Sequence, residues 1–319
     1  MSQAEPDPAP SAAESTGGPR HDLPGEVVVG IDGSDEARAA AGWAAAEAAR
    51  LRTGLVLVSA YTVPHRGLLA YDVMAPDYAA IVLAHQQETH REIAAELLTR
   101  HPGLPISSTV EAGHPVDVLL GRSAGAALLV VSTRERGRFR RAVGGSVAQA
   151  LAAHATVPVA VIRPGTAAPR TGPVVVGVDG SPNSRPAIGA AYDAAATRGV
   201  ELVALHAWHD DMTLDVDERG LVGADIGDEA LREIERALVS EELAGWAERY
   251  PDVVVRPLVR KGDPVTLLLE ASGTAGLVVV GSRGRGGFSG ALLGSTGQEL
   301  IMHGEAPVLV VRSAATDSG

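Results

Sequence analysis

No cysteine occurs among the 319 residues. Disulfide frames, thiolate nucleophiles and thiolate metal sites are therefore excluded. Aromatic residues make up only 3%. A core must then be built from Ala, Val, Leu and Ile, which suits helices packed closely on a sheet. Lysine occurs once, at Lys261. The GxxxxGK[ST] phosphate loop is accordingly absent. Positive charge is in deficit, with 27 Lys and Arg against 39 Asp and Glu, for a formal net charge of −12. Such a chain carries no electrostatic footprint for duplex nucleic acid. No apolar run approaches the roughly 20 residues of a membrane helix. Residues 1–25 are rich in Ala, Pro, Ser and Glu and have no basic start followed by an apolar segment. They read as a disordered tail, not a signal peptide. The expectation is a soluble, cytoplasmic protein with neither nucleic acid nor membrane as partner.

The hydrophobic fraction, 45%, is that of a globular chain. Its main feature is an internal repeat. Val27 to Ser34 reads VVVGIDGS and Val174 to Ser181 reads VVVGVDGS, seven of eight residues alike. Leu128 to Ser146 (LLVVSTRERGRFRRAVGGS) aligns in the same way with Leu277 to Ser295 (LVVVGSRGRGGFSGALLGS). A Pro/Gly linker, residues 164–172, separates the copies. The expected layout is a tail (1–25), domain 1 (26–163), the linker, domain 2 (173–312) and a short tail (313–319).

Within each copy, strand and helix patterns alternate. In copy two, strands are expected at 173–178, 200–207, 253–260, 277–280 and 306–311. Helices are expected at 184–198, capped by Ser181 or Asn183, at 228–250 with Pro251 as terminator, at 264–271 with Asp263 as cap, and at 295–303. The long helix of copy one is expected over 77–100. Near-continuous Val/Leu strands indicate burial on both faces. The fold class is therefore α/β: two tandem, doubly wound, mainly parallel sheets with helices on both sides. Ligands of such sheets sit beyond the carboxyl ends of the strands, where strand order reverses. Asp179 and Gly281 both lie at carboxyl ends, and neighbouring first and fourth strands would bring them to one crevice.

The loop after the fourth strand of copy two has the chemistry of an anion site. Its spacing is Gly281, two residues, Gly284, nine residues, then Gly294-Ser295. Glycines at 281, 284, 286 and 287 let an anion approach backbone N–H groups. Gly294-Ser295 opens a helix whose N-terminus favours negative charge. Ser282 lies within the loop, Ser295 adds a hydroxyl, and Arg283 and Arg285 supply charge. A glycine-rich surface turn would explain a lone glycine pair, but not the whole set. Asp179 can accept from a ribose hydroxyl, help hold a metal on the phosphates, or simply cap a helix. His206, His209, Asp210 and Asp211 match no strong ligand spacing, so no metal site is assigned to the protein itself. Ala207 and Trp208 are candidate walls for a flat base. No catalytic group is assigned.

These motifs resemble the universal stress protein family: the G-2x-G-9x-G-S spacing and VGVDGS at 177–181. ALHAWHD at 204–210 and LAGWAERYP at 243–251 are similar to its tandem, actinobacterial form. The resemblance covers nearly all of 27–311. It implies an adenine nucleotide α-hydrolase-like domain of strand order 3-2-1-4-5. It also implies ATP, or AMP or ADP, with Mg²⁺ on the phosphates, and a homodimer paired through fifth strands, or the two copies of one chain paired in that way. Carried over by position, Gly177 and Asp179 would face the adenosine and the backbone at Ala207 the adenine. Gly281 to Gly287 and Ser295-Thr296 would hold the phosphates. The corresponding positions of copy one are Gly30, Asp32, Ser132, Arg134, Arg136, Gly137, Arg138, Gly145 and Ser146. Copy one departs from the pattern, with Ser132 and Glu135 in place of Gly281 and Gly284. A carboxylate in a phosphate cradle repels the ligand, although the nearby arginines offset it. Copy two is therefore expected to bind more tightly. The function implied is an ATP-binding regulatory protein of the stress response that acts on an unidentified protein partner. The alternatives are a slow ATPase, or a structural dimerisation module in which nucleotide is incidental.

Overall fold

A computed structural model of the chain describes residues 25–62, 71–133, 146–168, 171–181, 184–208, 228–284 and 293–312, without the side chains of 71–78, 146 and 228. Domain 1 runs β1 (Val27–Gly30), α1 (Asp35–Leu51), β2 (Leu55–Tyr61), α2 (Tyr71–Arg100), β3 (Ile106–Ala112), α3 (Pro115–Ser123), β4 (Leu128–Ser132), α4 (Ser146–His154) and β5 (Val159–Ile162). Domain 2 repeats the order with β6 (Val174–Gly177), α5 (Ser184–Arg198), β7 (Leu202–Trp208), α6 (Asp228–Leu243), a short α7 (Trp246–Arg249), β8 (Val255–Lys261), α8 (Pro264–Ser272), β9 (Leu277–Gly281), α9 (Ser295–His303) and β10 (Val308–Val311). Among the described residues, no helix is long and apolar enough to cross a membrane.

The ten strands form one sheet in the order β3-β2-β1-β4-β5-β10-β9-β6-β7-β8. Each half is parallel with strand order 3-2-1-4-5, and the halves join through an antiparallel β5–β10 pair in which Ala160 faces Leu309. The two copies thus pair with each other through their fifth strands. The small side chains expected from the composition do the packing. Ala37, Ala40, Ala41, Ala44, Ala45 and Ala48 are all buried along one face of α1, so the helix axis lies close to the sheet.

Polar contacts also close the join. Arg163, just after β5, donates from Nη1 to the carbonyl of Gly304 at 2.5 Å. Arg312, just after β10, donates to the carbonyl of Ala153. Each arginine therefore meets the carboxyl end of the other domain's last helix, where cations are favoured. A one-sided contact accompanies this reciprocal pair. Arg198 of α5 reaches Glu47 of α1 at 2.6 Å, with the two side chains 14% and 8% exposed.

Two local expectations are corrected. The helix expected over 228–250 is broken, because Gly245 takes a left-handed φ of 81° and separates α6 from α7. The break re-aims the chain so that Trp246 stacks on Tyr192 and Tyr250. Trp246 also covers Gly189, where an added Cβ would stand 2.5 Å from the indole. Ser181 is not a side-chain cap for α5, since its buried hydroxyl has no hydrogen-bond partner. Ser181 instead offers its carbonyl, which accepts from the Ser184 hydroxyl at 2.9 Å. The alternative cap, Asn183, lies outside the described residues.

Candidate functional site

β6 and β9 are parallel neighbours, with Val176 opposite Val279. The segments that leave their carboxyl ends consequently face one another at the reversal of strand order in domain 2. Asp179 curls back, and its Oδ1 accepts from the Ser181 N–H at 2.9 Å. This is an Asx turn, not a helix cap. Across the crevice, a Cβ built at Gly284 would stand 2.9 Å from Asp179 Oδ2. Glycine at 284 therefore leaves the Asp179 carboxylate its place. This requirement is more specific than the general backbone access inferred from sequence.

The glycine loop is pinned at its base. Ser282 donates its N–H to the carbonyl of Val311 at 2.8 Å, and Gly294 donates its N–H to the carbonyl of Ser282 at 2.8 Å. The two ends of the loop thus meet between β9 and α9. Gly294 is the N-cap residue of α9 and makes no side-chain cap bond. A glycine supplies no side-chain acceptor for the first N–H groups of the helix, a place that an anion or water can take. Gly284, Arg283 and Ser295 are exposed, Gly281, Gly294 and Thr296 are half-buried, and Ser282 is buried. Arg285, Gly286 and Gly287 lie outside the described residues, as do Arg134, Glu135, Arg136, Gly137, Arg138 and Gly145 of domain 1.

Other proposed site residues have a packing role visible beside any ligand role. A Cβ at Gly177 would press on Leu268 of α8 at 3.3 Å, and one at Gly30 on Leu119 of α3 at 3.1 Å. These glycines let a helix settle on the end of the first strand. In domain 1, Asp32 Oδ1 accepts from the Ser34 N–H at 3.0 Å, the counterpart of the Asp179 turn. There the serine hydroxyl does cap its helix, accepting from the Ala37 N–H at 3.1 Å. Ser132 ends β4 half-buried, and Ser146 opens α4. Ala207 is half-buried at the end of β7. Trp208, beside it, is covered by Lys261, whose ammonium sits 5.2 Å from the ring centroid.

His206 is not placed as part of a metal cluster. No group of three metal-ligating side chains occurs among the described residues, and 209–211 lie outside them. Instead, its ring bridges the Val178 carbonyl and Glu235 of α6. Sequence reasoning missed Glu235, because nothing in a helical charge pattern marks which carboxylate meets His206. A cavity of about 190 Å³ lies away from the crevice, toward the amino ends of β6–β8 beneath α8. Its arginines are already engaged, Arg256 with Glu201 and Arg260 with Glu270.

Two doubly wound parallel half-sheets of strand order 3-2-1-4-5 define a class of α/β proteins. Within that class the chain belongs to the universal stress protein family, which matches residues 25–163 and 171–312. A universal stress protein of Mycobacterium tuberculosis is 39% identical over 303 residues, covering 90% of this chain and 94% of that protein. One from Mycolicibacterium smegmatis is 37% identical over 295 residues, covering 90% and 96%. The crystal structure of a universal stress protein from Archaeoglobus fulgidus aligns over 90% of this chain and 98% of its own, with a TM-score of 0.62 at 19% identity. At that identity the likeness concerns the fold alone.

Proposed function

We propose that domain 2 binds ATP, or AMP or ADP, in the crevice between Asp179 and the 281–294 loop. The chain would then act as a nucleotide-dependent regulatory switch of the stress response, not as an enzyme. The observation that carries this reading is the close approach of Gly284 to the Asp179 carboxylate at the switch point. The two motifs that stand out in the sequence of copy two lie close together, an acceptor at Asp179 on one side and, on the other, a helix whose N-cap, Gly294, makes no side-chain cap bond. The groups suit the ligand. Asp179 can accept from ribose hydroxyls, and the α9 N–H groups, Ser295 and Arg283 can meet phosphate oxygens. Mg²⁺ would accompany the phosphates as their counter-ion. The output would pass to a regulatory protein partner in the cytoplasm. A homodimer of whole chains would need a surface other than the fifth-strand edges, which are paired within the chain.

Mass spectrometry of small molecules released from the purified full chain tests the ligand, with an adenine nucleotide as the expected result. Incubation of the loaded protein with Mg²⁺ separates the classes. ATP that stays intact supports a binding module, whereas steady ADP release would support the slow ATPase reading. Recovery of no nucleotide, together with no binding of added ATP, would reject both.

A further inference from the structure

In each domain a side-chain bridge ties the end of the first strand to the long helix, by way of the second strand. In domain 2 the bridge is His206 of β7, only 3% exposed. Its Nδ1 lies 2.7 Å from the carbonyl oxygen of Val178, and its Nε2 lies 2.7 Å from Glu235 Oε2 on α6. In domain 1, Ser59 of β2 donates its hydroxyl to the carbonyl of Ile31 at 2.7 Å and meets His90 Nε2 of α2 at 2.7 Å. The path is the same, but the chemistry is redistributed.

The hydrogen count differs as a result. A carbonyl oxygen only accepts, so His206 Nδ1 carries a hydrogen. A neutral imidazole has no second one. Its Nε2 lone pair would then face a carboxylate oxygen, which is repulsive. The His206–Glu235 pair must therefore hold one proton more than a neutral imidazole and a carboxylate hold. Domain 1 needs none. Ser59 donates to Ile31 and accepts from Nε2–H of a neutral His90. Burial lowers the pKa of His90 from its ordinary value and keeps it neutral.

Val178 immediately precedes Asp179, so the bridge grips the strand end that carries the crevice carboxylate. Resting on the nucleotide reading above, we propose that His206 and Glu235 are positioning residues of the domain 2 crevice. The proton they share fixes the Val178 carbonyl, holds Asp179 opposite Gly284, and links ligand affinity to the seating of α6. Among the described residues, few other charges bear on the pair. On β8 the residue opposite His206 is Val259. Lys261 lies two residues on, over Trp208. On α6, Arg232 pairs with Glu229, and Arg236 with Glu229 and Glu233. Arg185 of α5 pairs with Glu242.

The test uses the full chain and two variants. Glu235→Gln can donate its amide to a neutral His206, which keeps the bond and removes the need for the extra proton. His206→Ser combined with Glu235→His installs the domain 1 chemistry. Nitrogen and carbon NMR shifts of His206 and Glu235 should show a doubly protonated ring or a protonated carboxyl at neutral pH. A singly protonated ring beside a carboxylate would overturn the proposal. As pH rises and the pair loses that proton, ATP affinity of the wild type should fall by about tenfold, the order expected for losing one hydrogen bond to a charged group. Both variants should give flat profiles. A flat wild-type profile, or variants that follow the wild-type curve, would also overturn it. If the wild type binds no ATP at any pH, the nucleotide reading fails on its own. Hydrogen exchange at Val178–Ser181 then decides the positioning role: protection should drop as the pair deprotonates, and unchanged protection would reject it.

Discussion

Domain 1 and domain 2 share one backbone plan and differ at the points where a ligand would be held. Both turn an aspartate back on the serine two residues later, and both rest a helix on a strand-end glycine. Domain 2 has Gly281 and Gly284 opposite Asp179, and the aligned sequence positions of domain 1 are Ser132 and Glu135, the latter outside the described residues. The bridges behind the two walls also differ. Domain 2 uses a His206–Glu235 pair, whereas domain 1 uses Ser59 with His90, whose pKa burial lowers. A repeat can therefore keep its frame, set by Val, Ala and Gly packing, while the chemistry presented by the frame diverges.

The largest expected effect comes from making domain 2 resemble domain 1. Gly284→Glu puts a Cβ against Asp179 and a second carboxylate into the crevice. ATP affinity measured by calorimetry should fall by about a hundredfold or more, roughly 2.7 kcal/mol. An unchanged affinity would remove Gly284 from the site. Next comes the join between the domains. Arg198→Ala leaves buried Glu47 with Arg50 alone. It should cost about 2 kcal/mol in denaturant unfolding, below the usual 3–5 because one partner remains. An equal loss from the exposed Arg256→Ala would show that burial is not the cause.

The pH response of domain 1 sharpens the comparison further. Burial lowers the pKa of His90, so the unfolded chain takes up a proton at a higher pH than the folded one. The stability from neutral His90 is present above the unfolded value, about 6.5, and is lost as pH falls through it toward the folded value. His90→Gln should flatten that part of the pH–stability curve. A curve identical to wild type would assign the effect elsewhere. The smallest difference concerns caps. Asp263 Oδ2 accepts from Thr266 N–H at 2.8 Å, whereas His114 Nδ1 meets Val116 N–H at 3.4 Å. Asp263→Ala should cost about 1 kcal/mol, and His114→Ala only a few tenths, read from shifts in unfolding midpoint.

Much of this was legible in the sequence, because local rules govern it. The repeat fixed the domain plan, and α5 and α9 begin and end where their periodicity and flanking residues place them. Asp263 caps α8 as its position before Pro264 suggested. The misreadings share a cause. The pattern over 228–250 is helical in every local respect, yet the stacking of Trp246 on Tyr192, far away in sequence, favours a turn at Gly245. Ser181 sits where a cap belongs, but its carbonyl and not its hydroxyl is used. The Arg163, Arg312 and Arg198 contacts and the Glu235 partner of His206 depend on which distant elements meet, and composition and spacing do not carry that information. At the crevice, sequence singled out Asp179 and Gly284, and the structure added how closely a Cβ at 284 would approach the Asp179 carboxylate.

The measurement that bears most directly on the asymmetry is the stoichiometry of ATP on the nucleotide-free full chain, by isothermal titration. One tight equivalent per chain, lost in Gly284→Glu, is the result expected. Two equivalents of equal affinity, or one that survives Gly284→Glu unchanged, would contradict it.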